Sequence, residues 1–125
     1  MILCDTDIII ELYRNNEQII TELKKIGEEN IAISTITAGE LFYGALNKNE
    51  LKQIEKDIKS LDLRLIDEEV SKVFYKLMLE YSLSHKLGIP DAFIASTAIV
   101  NDLELFTLNV KHFKFIKGLK LYFIK

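Results

Sequence analysis

The sequence has 125 residues, a length typical of one folded domain. Apolar residues make up 49% of it and charged residues 28%, so the chain can bury a core and lacks the composition of a disordered protein. The formal net charge of −3 excludes a strongly cationic surface field of the kind that attracts nucleic acid.

Apolar runs in the sequence stay well short of the ~20 residues that cross a bilayer. The N-terminus has neither the basic flank nor the cleavage site of a secretory signal. Cys4 is the single cysteine, which excludes an internal disulfide, and we expect it to be a small buried residue. These features predict a cytoplasmic protein with no membrane partner.

Short apolar runs alternate with helical patterns along the chain. In order, the pattern predicts a strand at 1–5, helices at 8–13 and 19–26, a strand at 31–34, helices at 35–46 and 48–61, a strand at 63–66, a helix between Asp67 and Gly88, a helix at 91–100, and strands at 103–107 and 119–124. The helix at 91–100 is apolar on nearly all sides, so we expect it to be buried. The alternation predicts an α/β fold with a mostly parallel central sheet between helices, in one domain over residues 1–125.

Several residues mark the expected helix ends. Asp67 is an N-cap residue, and Pro90 stands where the first turn of the next helix accepts proline. Gly44, inside a predicted helix, costs about 1 kcal/mol relative to alanine and suggests close packing. Thr37 and Glu40 have the spacing of a capping box, in which Glu40 would only secure a helix start.

Acidic and amide side chains stand where the predicted strands end and the following helices begin. Asp5 ends the first strand, Glu40 lies in the first turns of the helix after the second strand, and Asp91 lies in the first turn of the buried helix. Asn109 follows the strand that ends at Thr107. Because strand carboxyl ends and the helix N-termini after them share one edge of a parallel sheet, we expect these side chains to converge.

Carboxylates brought together in a poorly solvated cleft either hold protons at raised pKa values or bind cations. A set of oxygen ligands without paired Cys or His suits Mg²⁺ or Mn²⁺. One or two such ions can position and activate a water for in-line attack on a phosphodiester. The pattern therefore indicates metal-dependent hydrolysis of phosphodiesters.

The same residues also have purely structural explanations. Asp5 could cap the helix that follows, although Thr6 and Asp7 are better placed to do so. Asp91 is favourable near the positive end of its helix whatever else it does. Asn109 is a residue type that is common in turns.

Four segments resemble, in order and spacing, the signature blocks of the PIN-domain ribonucleases, in particular the VapC-type toxins: ILCDTDIIIELY, ISTITAGELFYGAL, LGIPDAFIASTAI and LFTLNVKHF. The resemblance covers nearly the whole chain. It implies a three-layer α/β/α fold and Mg²⁺- or Mn²⁺-dependent cleavage of RNA, with Asp5, Glu40 and Asp91 as catalytic, metal-binding acids. The fourth block usually offers Asp or Asn, which here is Asn109, and the resemblance implies that it is a fourth catalytic residue, which completes the ligand shell or touches the substrate. Because an amide is a weaker ligand, occupancy by a second metal ion stays open.

The resemblance also separates ligands from supporting residues. Asp7 stands where the family often has Ser or Asn, which implies that it caps a helix or supports the site without holding the metal. Thr6 and Thr107 are likewise expected to orient the ligands or to touch the substrate.

Members of this type are typically homodimers in which a cognate antitoxin blocks the acidic cleft. An antitoxin helix typically lies in a groove near the N-terminal helices, which here would surround Tyr13, Phe42 and Tyr43. Five basic side chains near the predicted rim could contact RNA phosphates: Lys48, Lys86, Lys111, His112 and Lys114. The two histidines, His85 and His112, have no metal-ligand spacing, and neither is assigned a catalytic role.

We expect a metal-dependent endoribonuclease, the toxin of a type II toxin–antitoxin pair, and three alternatives compete with it. Asp5-Thr6-Asp7 resembles the opening of haloacid-dehalogenase-like phosphatases, but the chain is short for that fold and lacks the later Asp-Asp pair and lysine block. A receiver-type signalling module would need a mid-chain phospho-acceptor Asp and a late Lys at strand ends. A catalytically weak or inactive PIN-like module that binds RNA or protein stays open because residue 109 is an amide.

Overall fold

The computed structural model of the protein describes residues 1–124, in which five parallel strands form one sheet with helices on both faces. The elements in chain order are β1 (Ile2–Cys4), α1 (Thr6–Tyr13), α2 (Glu17–Ile26), β2 (Ile31–Ser34), α3 (Thr35–Tyr43), α4 (Lys48–Lys59), β3 (Asp62–Arg64), α5 (Glu68–Tyr81), α6 (Ile89–Val100), β4 (Glu104–Phe106) and β5 (Lys120–Tyr122). Two short 3₁₀ turns lie at Glu28–Asn30 and Val110–His112. The expected alternation of strands and helices is confirmed.

The strand order is β3-β2-β1-β4-β5, so the N-terminal strand occupies the centre of the sheet. It pairs with β2 on one side, where Ile2 lies opposite Ile31, and with β4 on the other, where Cys4 lies opposite Phe106. The chain therefore adds β2 and β3 on one side of β1 and later adds β4 and β5 on its other side. Open α/β sheets bind ligands at such a reversal, outside the carboxyl ends of the strands.

Successive side chains of each strand point alternately into two separate hydrophobic cores, one on each face of the sheet. Cys4 and Ile33 point to the face covered by α1 to α4, whereas Leu3 and Leu105 point to the face covered by α5 and α6. These two apolar layers on one sheet make the three-layer α/β/α arrangement that the sequence predicted. Helix α6 is buried along most of its length, and the thiol of Cys4 is fully buried, as expected.

The structure corrects the expected start of α1. Thr6 or Asp7 was predicted to cap this helix, but Asp5 is the N-cap residue and its side chain accepts a hydrogen bond from the Thr6 backbone N–H. The reason is that β1 ends at Cys4 and α1 begins at Thr6, which leaves Asp5 as the single residue between them.

Helix α3 starts at Thr35 as predicted, but its cap and its end differ from the prediction. Ser34 is its N-cap residue and accepts from the Thr37 backbone N–H, so the capping-box interpretation of Glu40 is wrong. The helix ends at Tyr43, and Gly44 is its C-cap residue. A Cβ on Gly44 would lie 3.6 and 3.7 Å from two carbonyl oxygens of its own helix, an ordinary contact, so this glycine does not mark close packing.

Other boundaries shift by a few residues. Asp67 caps α5 as predicted, but this helix ends at Tyr81, well before the expected break at Gly88. Gly88 is instead the N-cap residue of α6, with Pro90 in the first turn as predicted. Strand β3 is shorter than expected and lies slightly earlier. None of the helices within residues 1–124 is long and apolar enough to span a bilayer.

Candidate active site

Asp5 is fixed at the carboxyl end of the central strand. Its backbone N–H donates to the carbonyl of Phe106 on β4 at 2.9 Å, which ties the corner to the neighbouring strand. One carboxylate oxygen, Oδ1, accepts from Thr6 N at 2.7 Å, and the other, Oδ2, accepts from Thr107 Oγ1 at 2.7 Å. With only 5% of the residue exposed, Asp5 is held in place from both sides of the sheet reversal.

Glu40 projects from the second turn of α3 toward the start of α1. Its Oε1 accepts a hydrogen bond of 2.7 Å from the hydroxyl of Thr6, and that hydroxyl also lies 3.0 Å from Thr37 Oγ1. The far end of the Glu40 side chain therefore reaches the residue next to Asp5, although the residue as a whole is exposed. Thr6 connects the two acids, as expected of a supporting residue.

Asp91 lies in the first turn of α6, where the positive end of the helix favours its charge. Its Oδ2 lies 3.3 Å from Nδ1 of His112, on the 3₁₀ turn after β4, and 30% of its side chain is exposed. His112 was expected only at the rim of the site. His112 follows Asn109 by three residues, which is one turn of a 3₁₀ helix. This spacing is the feature of the sequence that could have placed His112 at the same edge of the sheet as Asn109.

Asp7 and Asn109 contact each other directly across the site. Oδ2 of Asp7 accepts from the Asn109 side-chain amide and from the Leu108 backbone N–H, both at 3.1 Å. Asn109 is itself positioned by Thr107, whose hydroxyl accepts from the Asn109 backbone N–H at 3.0 Å. The other oxygen of Asp7, Oδ1, is buried and has no hydrogen-bond partner among the described residues.

The acids at this edge raise one another's pKa values. Burial, followed by the neighbouring charge of Asp7, raises the pKa of Asp5 to about 7, although hydrogen bonds from Thr107 and Thr6 act in the opposite direction and Asp91 adds to the rise. Burial also raises the pKa of Asp7, although the Leu108 and Ile8 backbone N–H groups and the Thr107 hydroxyl act in the opposite direction, and Asp91 adds to the rise. Burial raises the pKa of Asp91, where His112 opposes the shift and Glu40 adds to it.

The predicted site residues therefore meet at one edge of the sheet, as their hydrogen bonds and mutual electrostatic effects require. The seven residues brought together are Asp5, Thr6, Asp7, Glu40, Asp91, Thr107 and Asn109. The basic residues predicted at the rim are all exposed. Of them, Lys111 lies within the turn that carries His112 to Asp91 and Lys114 follows that turn, whereas no hydrogen bond or ion pair within residues 1–124 places Lys48 or Lys86 at the site.

The donor set fits a hard divalent cation, but it is not a preformed cage. Within residues 1–124, no three Asp, Glu, His or Cys side chains are already arranged as a metal-binding group. The reason is visible in their contacts, because Asp5 is hydrogen bonded to Thr6 and Thr107, and Asp91 to His112. Cation binding therefore requires some of these side chains to rearrange. A bound cation would give the unpartnered oxygen of Asp7 a partner and would favour the ionised form of the acids whose pKa values are raised.

An apolar groove leads away from the acids toward the N-terminal helices. It is lined by Tyr13, Glu40 and Ile54 among others and has a volume of about 480 Å³. A second groove of about 510 Å³, between α1, α2 and α4, shares Tyr13 as a wall. Phe42, predicted to belong to the same groove, lines a separate depression, and Tyr43 is 94% exposed.

Comparison with known proteins gives a consistent family. Residues 2–117 match the PIN domain family. Ribonuclease VapC19 of Mycobacterium tuberculosis is 34% identical over 125 residues, which cover 96% of this chain and 98% of that protein. Ribonuclease VapC1 of Methanocaldococcus jannaschii is 35% identical over 128 residues, which cover 97% of this chain and 86% of that protein.

Solved structures give the same fold at similar length. A toxin–antitoxin complex from Klebsiella pneumoniae superimposes with a TM-score of 0.81 at 30% identity, over 95% of both chains. A DNA-bound VapBC complex from Salmonella typhimurium gives a TM-score of 0.84 at 26% identity, over 97% of this chain and 96% of that chain.

Proposed function

This chain belongs to the PIN-domain family, and we propose that it is a metal-dependent ribonuclease that cleaves RNA internally as the toxin of a type II toxin–antitoxin pair. The family match over residues 2–117 and the ribonucleases to which the chain is similar support this assignment. The proposal treats residues 1–125 as one PIN domain that acts in the cytoplasm.

The observation that carries the proposal is the meeting of four acids at the carboxyl end of β1, the point where the strand order reverses. Asp5 and Asp7 come from the β1–α1 corner, Glu40 from α3 and Asp91 from α6. The raised pKa values of Asp5, Asp7 and Asp91 mean that the site is unfavourable for this much negative charge unless protons or cations share it. Oxygen-only ligands in this number favour Mg²⁺ or Mn²⁺.

Each residue has a defined task in the proposed mechanism. Asp5 and Asp91 hold the cation, which when bound supplies a Lewis acid that makes a water more acidic and neutralises developing phosphate charge. Glu40, oriented by the Thr6 hydroxyl, ligates the cation or orients the attacking water. The Thr107 hydroxyl orients Asp5 and favours its ionised form, since its hydrogen bond lowers the pKa of that carboxyl, although burial and Asp7 raise this pKa more strongly.

RNA and an antitoxin are the proposed partners. RNA phosphates would be contacted by exposed cations beside the site, with Lys111 and Lys114 the best placed of the predicted set. The similar toxin–antitoxin complexes favour a cognate antitoxin and a homodimer. An apolar antitoxin helix would fit the grooves that meet at Tyr13, because one of them ends at Glu40 and so connects the docking surface to the acids.

The first test is cleavage of labelled RNA by the purified protein with Mg²⁺ or Mn²⁺. We expect cleavage with either ion, none with EDTA, and a loss of at least about a hundredfold in Asp91→Asn, because one ligand loses its charge. Asp102→Asn is the matched control, since Asp102 is exposed, pairs with Lys120 and stands just before β4, at the other end of the strands. Cleavage that persists in both EDTA and Asp91→Asn would overturn the proposal and leave an RNA- or protein-binding module as the alternative.

A further inference from the structure

The contacts of the Asp7 side chain are not explained by its position at the start of α1. Its Oδ2 is held by two donors, the Leu108 backbone N–H and the Asn109 amide, while its Oδ1 is buried without a partner among the described residues. A buried carboxylate oxygen that is left without a hydrogen-bond partner is unfavourable. Nor is Asp7 the cap of α1, because Asp5 has that role. The unpartnered oxygen therefore needs another explanation.

The charged neighbours of Asp7 are the acids of the proposed active site. Asp7 contributes to the raised pKa of Asp5, and Asp91 contributes to the raised pKa of Asp7. The ion pairs among residues 1–124 include none to Asp7. The Thr107 hydroxyl is close enough to Asp7 to lower its pKa, but it cannot donate to Oδ1 as well, because its one hydrogen is directed to Asp5 Oδ2 at 2.7 Å. A cation shared with Asp5 and Asp91 would satisfy the Oδ1 atom.

Asn109 can donate a hydrogen bond to Asp7, which an ionised acid at the same position could not do. Its amide donates to Asp7 Oδ2 at 3.1 Å. An aspartate at position 109 could not donate, and it would place a second carboxylate oxygen against Asp7 at a similar distance. The amide at 109 and the acid at 7 thus form one unit, in which the amide orients the carboxylate and the carboxylate carries the charge.

We propose that Asp7 is the fourth carboxylate of the site, with its Oδ1 ligating the divalent cation directly, and that Asn109 is a positioning residue that orients Asp7. This inference rests on the proposed function and differs from the expectation that Asp7 only supports the site and that Asn109 completes the ligand shell or touches the substrate. The negative charge that an amide at position 109 does not provide is present at position 7.

The test is the affinity of the metal-free protein for Mn²⁺, measured by titration calorimetry and by the rise in Tm that Mn²⁺ produces. In Asp7→Asn we expect the Kd for Mn²⁺ to rise by roughly tenfold or more, the scale on which ligands and their supporting partners contribute. We also expect the Tm of metal-free Asp7→Asn to rise, because one of several repelling charges is gone. This second readout also shows that the variant folds.

The decisive variant exchanges the two side chains. In Asp7→Asn combined with Asn109→Asp, the amide at 7 can donate to the acid at 109, so we expect Mn²⁺ affinity to return to within about threefold of wild type. Asp102→Asn is again the control and should bind like wild type. Equal affinity in wild type and Asp7→Asn would overturn the assignment of Asp7, and a double variant no better than Asp7→Asn would overturn the pairing.

The outcomes separate this inference from the proposed function. If wild type binds Mn²⁺ and cleaves RNA while Asp7→Asn binds Mn²⁺ unchanged, the function stands and the role of Asp7 is wrong. If wild type neither binds Mn²⁺ nor cleaves RNA, the proposed function fails and this inference fails with it.

Discussion

Asp5 combines two roles that are usually held by different residues. It caps α1 through its bond to Thr6 N, and it is buried beside Asp7 at the sheet reversal. The cap and the Thr107 bond stabilise its ionised form, whereas burial and Asp7 destabilise it more strongly. The result is a carboxyl group that is close to half-protonated near neutral pH when no cation is present.

Metal-free protein is therefore expected to lose stability as the pH rises. The folded-state pKa of Asp5 is raised to about 7 from an ordinary value of 3.8, so the folded form binds this proton more tightly than the unfolded form does. The contribution is fully present below about pH 4 and is lost as the pH rises through about 7. Thermal unfolding in EDTA should give a Tm about 5 °C or more higher at pH 5 than at pH 8.

The variant Asp5→Asn tests the assignment of this effect. It should remove most of the pH dependence and raise the Tm at pH 8, because the amide carries no charge in either state. Wild-type affinity for Mn²⁺ should change in the opposite direction, rising with pH up to about 7, since the cation competes with the proton on Asp5. A flat Tm between pH 5 and 8 in wild type would contradict the raised pKa.

Helix α5 also begins with an aspartate N-cap, Asp67, which has the usual hydrogen-bond pattern that Asp5 lacks. The side chain of Asp67 accepts from the Val70 backbone N–H at 2.9 Å, the bond that defines a side-chain N-cap. By contrast, Asp5 bonds to the N–H of the very next residue and to a hydroxyl on the far side of the reversal. Both helix starts use an aspartate, but only one of these aspartates faces other acids.

Removal of the Asp67 cap should affect stability without affecting chemistry. In Asp67→Ala the free energy of unfolding is expected to fall by ~1 kcal/mol, because the Val70 N–H loses its acceptor. Asp67→Asn is the matched control and should stay within a few tenths of a kcal/mol of wild type, since asparagine caps equally well. Denaturant unfolding measures both, and RNA cleavage at 25 °C should be the same in all three proteins; a drop in cleavage would place Asp67 at the site.

At the scale of the molecule, the sheet order decides where the site lies and which edge needs support. The central strand is paired on both sides, but β5 is an edge strand that pairs only with β4. Tyr122 on β5 ties this edge to α2, because its hydroxyl donates to the buried carboxylate of Glu22. That hydrogen bond and the burial of the ring raise the pKa of Tyr122 to about 12.

Loss of this tie should destabilise the whole domain. In Tyr122→Phe the Glu22 carboxylate, which is only 3% exposed, keeps a single long contact to Lys25 at 3.8 Å. We expect the free energy of unfolding to fall by about 1–3 kcal/mol, the cost of an unsatisfied buried acceptor. Tyr75→Phe is the matched control, because 70% of Tyr75 is exposed. Denaturant unfolding measures the free energy of unfolding of both variants. The same small change in both would show that the hydrogen bond to Glu22 contributes nothing to stability.

Local sequence signals were sufficient to predict the order and type of the elements. Apolar runs, helical periodicity and the cap at Asp67 are local signals, and they predicted the parallel sheet, the buried helix α6 and the strand ends at which Asp5 and Asn109 stand. The topology of a parallel sheet then sufficed to predict that Asp5, Glu40 and Asp91 would face one edge. Boundaries were less accurate, because caps such as Ser34 compete with neighbours of similar propensity.

The contacts of the individual side chains depend instead on the packing of distant segments against one another. The bonds from Thr107 to Asp5 and from Asn109 to Asp7 each join residues 102 positions apart, and they exist because β4 lies beside β1 in the strand order. No local pattern encodes which strand is the neighbour, so the unpartnered oxygen of Asp7 and the contact of His112 with Asp91 could not be derived from the sequence. Hydrogen bonds depend on distances of tenths of an ångström between distant segments, and the packing of the two cores on the sheet sets those distances.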